Sequence, residues 1–299
     1  SYRYTLPSTS NTATGGIHAD VHDIKFDPTN NTIVYLACDG GMYRSTNSGS
    51  SYSAINTGLA ATQFYASIGV SKQDPNLYIG GLQDNNVYMT TNGGTSWSTF
   101  PNANADGAAC VIDPLNDNNI IASIDARGFY RSTNRGSSSG SVLSYLGGPH
   151  DSRTAFVTPI AMSEKNPLIV YVGTDNLHKS TNGGSSWSNN TSYSGNTSPN
   201  NWIEAVHKTA IAMAIPPSDP NGDTLYVSTS PFAQFDNDAD GLFVTGQPNI
   251  LRTTNGATPF TSIKGTLPDR FVMDFAISKT NRDSVFIVLG GFGTSHVYV

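Results

Sequence analysis

The sequence predicts an all-β fold, a β-propeller of four-stranded antiparallel blades, on three observations. An eight-residue phrase recurs five times: STNSGSSY at 45–52, TTNGGTSW at 90–97, STNRGSSS at 132–139, STNGGSSW at 180–187 and TTNGATPF at 253–260. The central asparagines, Asn47, Asn92, Asn134, Asn182 and Asn255, are separated by 45, 42, 48 and 73 residues. Intervals near 45 fit one blade of four short strands, and the long last interval implies insertions. Finally, no long run has helical period.

Each unit is justified by what precedes its phrase, namely two apolar runs rich in β-branched residues, split by a polar turn. The first unit has VHDIKF and TIVYLAC, the second FYASIGVS and NLYIGG, the third GAACVI and NIIASI. The fourth has TPIAMS and LIVYVGT, and the fifth TAIAMAI and TLYVST. A sixth pair, FVMDFAIS and SVFIVLGG, carries no phrase of its own. Blades are therefore expected to begin near His18, Gln63, Gly107, Thr154, Lys208 and Arg270. Residues 1–299 read as a single propeller domain with about six blades visible, the last incomplete. The expected whole is a longer chain of seven or more blades, with further domains possible as partners.

The repeated phrase resembles the Asp-box, or BNR repeat, Ser-x-Asp-x-Gly-x-x-Trp, with Asn in place of Asp in all five copies. Gly49, Gly94, Gly136 and Gly184 match the glycine; Trp97 and Trp187 match the aromatic, with Tyr52 and Phe260 as substitutes. An Asn side chain accepts hydrogen bonds from the turn's own amides, and Gly supplies positive φ. The boxes thus read as structural punctuation, with Trp97 and Trp187 buried against their blades. Ser139 and Ala257 mark the third and fifth copies as degenerate. The resemblance implies a propeller and leaves function open, since sialidases, xyloglucanases, sortilin-type receptors and photosystem assembly factors share the box. Together HADVHD, DGGMYRSTN, TQFY and GLQDN also resemble secreted bacterial box-repeat proteins described as glycosyl-hydrolase-like.

Composition narrows the partners. Only 13% of residues are charged and the net charge is −6, which gives no electrostatic footprint for nucleic acid. No apolar stretch is long enough for a membrane span. The Ser/Thr/Asn-rich surface and the resemblance favour a secreted or cell-surface location. Cys38 and Cys110 lie in apolar strands two blades apart and read as buried thiols rather than a disulfide.

Candidate chemistry gathers in the B–C and D–A connections, at the end of the blades opposite the boxes. His18, Asp20 and His22 alternate in HADVHD and can bind a transition metal, or line the channel as hydrogen-bonded polar groups. Asp236, Asp238 and Asp240, followed by Gly241 and the Leu242 carbonyl, reproduce the opening of a calcium loop, so Ca2+ is the cofactor expected. Position 12 of that loop is Gln247, so the bidentate Glu is missing.

A sialidase-like site needs three arginines and a Tyr/Glu pair. Arg127, Arg153 and Arg270 supply the count as ligand-binding residues, yet Glu164 and Glu204 are the only glutamates. A xyloglucanase-like site needs two carboxylates, for which Asp20, Asp23, Asp39 and Asp84 are available; Asp39 and Asp84 also fit turn roles, and Asp20 and Asp23 are the catalytic candidates. Tyr65, Tyr145, Tyr193 and Trp202 can stack on sugars. The expected function is a binding or scaffold module presenting this face to a glycan or protein, with a polysaccharide-directed glycoside hydrolase as the alternative.

Overall fold

The computed structural model describes residues 17–18, 20–59, 62–125, 128–144, 155–174, 177–189, 209–230, 248–257, 260–293 and 295–299. The described residues contain strands and no helix. The first sheet is β1 (Val21–Phe26), β2 (Val34–Cys38), β3 (Gly41–Ser45) and β4 (Ser53–Ala54). The second is β5 (Phe64–Val70), β6 (Tyr78–Leu82), β7 (Val87–Thr90) and β8 (Ser98–Thr99). The third is β9 (Gly107–Ile112), β10 (Ile120–Ile124), β11 (Gly128–Ser132) and β12 (Gly140–Ser144). The fourth is β13 (Ile160–Met162), β14 (Val170–Gly173), β15 (Leu177–Ser180) and β16 (Ser188–Asn189). The fifth is β17 (Thr209–Ala214), β18 (Leu225–Ser230), β19 (Asn249–Thr253) and β20 (Thr261–Ser262). The sixth has three strands, β21 (Val272–Ile277), β22 (Val285–Leu289) and β23 (Val297–Tyr298). Every sheet is an antiparallel meander whose strands pair in chain order.

First strands lie beside one another from sheet to sheet: β5 packs on β9, β9 on β13, β13 on β17 and β17 on β21. Neighbouring strand residues point to opposite faces, so one strand serves two junctions. Ile120 packs with Leu77 and Ile79 of the second sheet. Its neighbour Ile121 packs with Val170 and Val172 of the fourth. Tyr171 then joins Leu225 and Val227, while Tyr226 joins Ile287 and Leu289. The core is therefore divided into slabs, one at each junction from the second sheet to the sixth.

The first sheet buries Leu36 and Cys38 against Ile17, with Val21, Tyr43 and Tyr52 around them. Phe64, Ile68 and Val70 of β5 remain exposed on the second sheet. Trp97 is 39% exposed and lies against Phe64 at 5.5 Å between ring centroids. This corrects the expectation of a buried Trp97. Trp187, by contrast, packs against the slab of Ile121 and Phe129.

The repeated phrases form one hydrogen-bonded turn. In the first, Ser45 Oγ donates to Asn47 Oδ1 at 2.9 Å, the Ser51 amide donates to the same oxygen at 2.9 Å, and Asn47 Nδ2 donates to Ser51 Oγ at 2.9 Å. The Gly49 amide closes the turn on Ser45 Oγ at 2.9 Å. Asn92, Asn134 and Asn182 repeat the pattern with Ser96, Ser138 and Ser186. The two residues after each of these asparagines both have positive φ, as at Gly183 (66°) and Gly184 (81°). In the fifth phrase Gly256 has positive φ but Ala257 does not, and the Ala257 amide turns to Asn255 Oδ1 instead. A side chain at the second position resists the left-handed region, which explains the altered turn.

Both cysteines are buried and free, as expected. Burial pushes the Cys110 thiol well above the usual range.

Candidate functional site

The site forms where the second and third sheets approach most closely. Gly81 and Gly107 meet backbone to backbone, and a β-carbon on either would collide with the other's chain. That approach brings the turn after β6 to the loop before β9. Asn86 and Asp106 form an isolated parallel bridge there, and the Asp84 amide donates to Asp106 Oδ1 at 2.8 Å. Asp84 and Asn86 both hold positive φ, the conformation that Asp and Asn tolerate best among residues other than glycine.

The first sheet reaches the same place from its own turn. Asn85 Nδ2 donates to the Asp39 carbonyl at 3.4 Å, and His18 Nε2 lies 2.7 Å from the Asp84 carbonyl. Asp20, at φ 57°, precedes β1. Asp20, Asp39 and Asp84 each place a carboxylate oxygen within 4.8 Å of the others. His22 Nε2 contacts Asp39 Oδ1, and that hydrogen bond, then the Asp39 charge, raises the His22 pKa.

Electrostatics follow from the crowding. Burial, then the charges of Asp106 and Asp39, push Asp84 up to about 6. Tyr65, edge-on to Phe156 at 5.4 Å, rises to about 12 through burial and the charges of Asp106 and Asp84. A carboxyl near 6 can hold or release a proton close to neutral pH.

The residues expected from sequence divide accordingly. Asp20 belongs to the cluster. His18 and His22 flank it through the Asp84 carbonyl and the Asp39 carboxylate, and the close-set oxygens come from three carboxylates rather than from the His18, Asp20 and His22 alternation. β1 begins at Val21, so His18 and Asp20 precede the strand and do not alternate along it with His22. Asp23 is exposed and salt-bridged to Lys25 at 2.9 Å, which holds its carboxyl below the usual range. A proton donor needs the opposite shift.

Arg270 Nε donates to the Gly290 carbonyl within the sixth sheet. Arg127, Arg153, Trp202, Asp236, Asp238, Asp240 and Leu242 lie outside the described residues. Asp106 was not singled out by sequence reasoning. Its only signal was its place in a D–A connection one residue before β9.

No protein-family model matches the sequence, and no curated protein is significantly similar to it. Solved structures match by shape. An ancestral GH74 enzyme superimposes with a TM-score of 0.56 at 21% identity, over 93% of this chain and 36% of that one. The GH74 xyloglucanase from Xanthomonas campestris gives 0.52 at 15% identity, over 91% and 44% of the two chains. YCF48 from Cyanidioschyzon merolae gives 0.50 at 11%, over 92% and 80%. The chain thus spans less than half of either GH74 structure, and at these identities the likeness is one of fold. The protein is a β-propeller similar in fold to glycoside hydrolase propellers and to YCF48.

Proposed function

We propose that this chain is an Asp-box propeller module, secreted or displayed at the cell surface, that binds a glycan or protein at the end of the blades carrying Asp20, Asp39 and Asp84. The carrying observation is the spacing of those carboxylates, with oxygens within 4.8 Å of one another. That is short of the roughly 6.5–9.5 Å between the carboxyl groups of an inverting glycosidase pair. Oxygens bound about 2.3–2.6 Å from one calcium ion must lie within about 5 Å of each other. The arrangement therefore suits a shared cation or an array of hydrogen-bond donors, such as sugar hydroxyls, better than inverting hydrolysis.

Ca2+ is the cation this chemistry favours. Asp236, Asp238, Asp240 and Leu242 remain a second calcium candidate on sequence grounds. Calorimetric titration of calcium into wild type, Asp84→Asn and Asp238→Ala separates the two sites: loss of heat in one variant assigns the site, and absence of heat in wild type removes both.

Glycoside hydrolysis is the second reading, favoured by Asp84, whose pKa near 6 suits a general acid. Polysaccharide panels with reducing-end detection decide between the two. Binding without new reducing ends supports the module. Turnover that disappears in Asp84→Asn supports the enzyme.

A further inference from the structure

Three box turns seat on the sheet before their own. A β-carbon at Gly136 would strike Met89, one at Gly184 would come within 2.5 Å of Ile121 Cδ1, and one at Gly256 would strike Tyr171 and Lys179. These seats are equivalent positions, since Ile79 pairs with Met89, Ile121 with Arg131 and Tyr171 with Lys179 in successive sheets. Arg131 Nε also donates to the Gly183 carbonyl at 2.7 Å, which ties the third sheet to the fourth sheet's box. The second sheet's box is the exception. Gly94 is exposed where Gly136, Gly184 and Gly256 are buried. A β-carbon on it would meet only its own Trp97, at 3.9 Å, so the equivalent seat on the first sheet, Tyr35 paired with Arg44, lies beyond contact.

Both walls of this junction carry the mark of the gap. Met42 of β3 is 39% exposed, whereas Val87, Phe129 and Leu177, which occupy the same place in the next three sheets, are fully buried. Ile68 and Val70 of β5 are 52% and 55% exposed, whereas Cys110 and Ile112 at the same places in β9 are buried. β5 packs on β9, β9 on β13, β13 on β17 and β17 on β21, but among the described strands no such packing joins β1 to β5. The first and second sheets meet instead at the end of the blades opposite the boxes. There Asn85 Nδ2 donates to the Asp39 carbonyl and His18 Nε2 lies against the Asp84 carbonyl.

We propose that this junction is a joint with two states, the open one just described and a closed one in which the second box seats on the first sheet. Contacts confined to one end leave the rest of the junction to move as a hinge. On closure Gly94 lies on Tyr35, the Gly93 carbonyl accepts from Arg44 Nε, and Met42, Ile68 and Val70 leave water. Burial of that apolar surface drives the closing. The hinge runs beside Asp20, Asp39 and Asp84, which come from both sides of it, so the state of the joint sets their spacing. The joint itself does not depend on the function proposed above.

The test is the distance between spin labels on the full chain at equivalent, exposed positions of the boxes. Ser50→Cys with Thr95→Cys spans the joint, and Ser137→Cys with Ser185→Cys spans the packed junction of the third and fourth sheets. Cys38 and Cys110 are buried and stay unlabelled. Double electron–electron resonance should give one distance across the packed junction and two across the joint, the shorter of them matching the packed junction. Arg44 is exposed, and Arg44→Ala should lower the closed-to-open ratio about tenfold, the effect expected of one charge-assisted hydrogen bond. A single distance across the joint, whether long or short, or a ratio unmoved by Arg44→Ala, overturns the proposal.

Discussion

The backbone amide of Asp84 donates to Oδ1 of Asp106 at 2.8 Å, and this bond sets two carboxyl groups from successive sheets side by side. Burial, then the charges of Asp106 and Asp39, make Asp84 a proton-binding group in the folded chain, with a pKa of about 6 against an ordinary value of 3.8. The stability this proton adds is fully present below 3.8 and is lost as pH rises through about 6. Between pH 4 and pH 7 the melting temperature of wild type should therefore fall relative to that of Asp84→Asn. A constant difference across that window would contradict the assignment.

The box asparagine can be tested by separating its acceptor from its donor. Asn182 Oδ1 accepts from Ser180 Oγ and the Ser186 amide, while Nδ2 donates to Ser186 Oγ. Asn182→Asp keeps the acceptor and should change stability by less than ~1 kcal/mol, whereas Asn182→Ala should cost about 1–3 kcal/mol. Chemical denaturation with an unchanged m-value is the measurement.

Two glycines predict opposite outcomes for the same substitution. Gly184 has φ of 81° and no room beside Ile121, so Gly184→Ala should destabilise by about 1–3 kcal/mol. Gly140 has open space around its missing β-carbon, and Gly140→Ala should stabilise by about 0.4–1 kcal/mol. Thermal unfolding of both variants checks the pair.

Trp187 and Trp97 occupy the same box position in different settings. Trp187→Ala empties part of the slab around Ile121 and should cost about 2–4 kcal/mol; Trp97→Ala, half in solvent against Phe64, should cost less. Equal losses would mean that the two aromatics are packed alike.

Cys38 and Cys110 should both resist a thiol reagent in the native chain and react together on unfolding, because both are buried and burial raises both thiols. Rapid labelling of either at neutral pH would contradict the packing of β2 or β9.

Strand pairs and box turns were legible because their causes are local. Asn47 and Ser51 satisfy each other within five residues, and VHDIKF and TIVYLAC announce their own hairpin. The site was legible only in pieces. Asp39 and Asp84 stood in sequence as turn residues, and that is where they stand, but their meeting with Asp20 depends on how separate sheets are placed. Asp106 carried no signal beyond its place just before β9, since what makes it matter is the Gly81 and Gly107 approach, two residues without side chains. The unequal fates of Trp97 and Trp187 likewise depend on the sheet opposite, which no box sequence encodes.

The division of the core into slabs makes the molecule a series of neighbours rather than a single cooperative mass. Ile120 and Ile121, adjacent in β10, answer to different sheets, so damage at one junction is passed on only through the strand that joins it to the next. A nearest-neighbour description with one energy for each sheet and one for each junction then applies. Amide exchange should be slowest in β10 and β14, which have buried neighbours on both sides, and fastest in β1, whose residues are largely exposed.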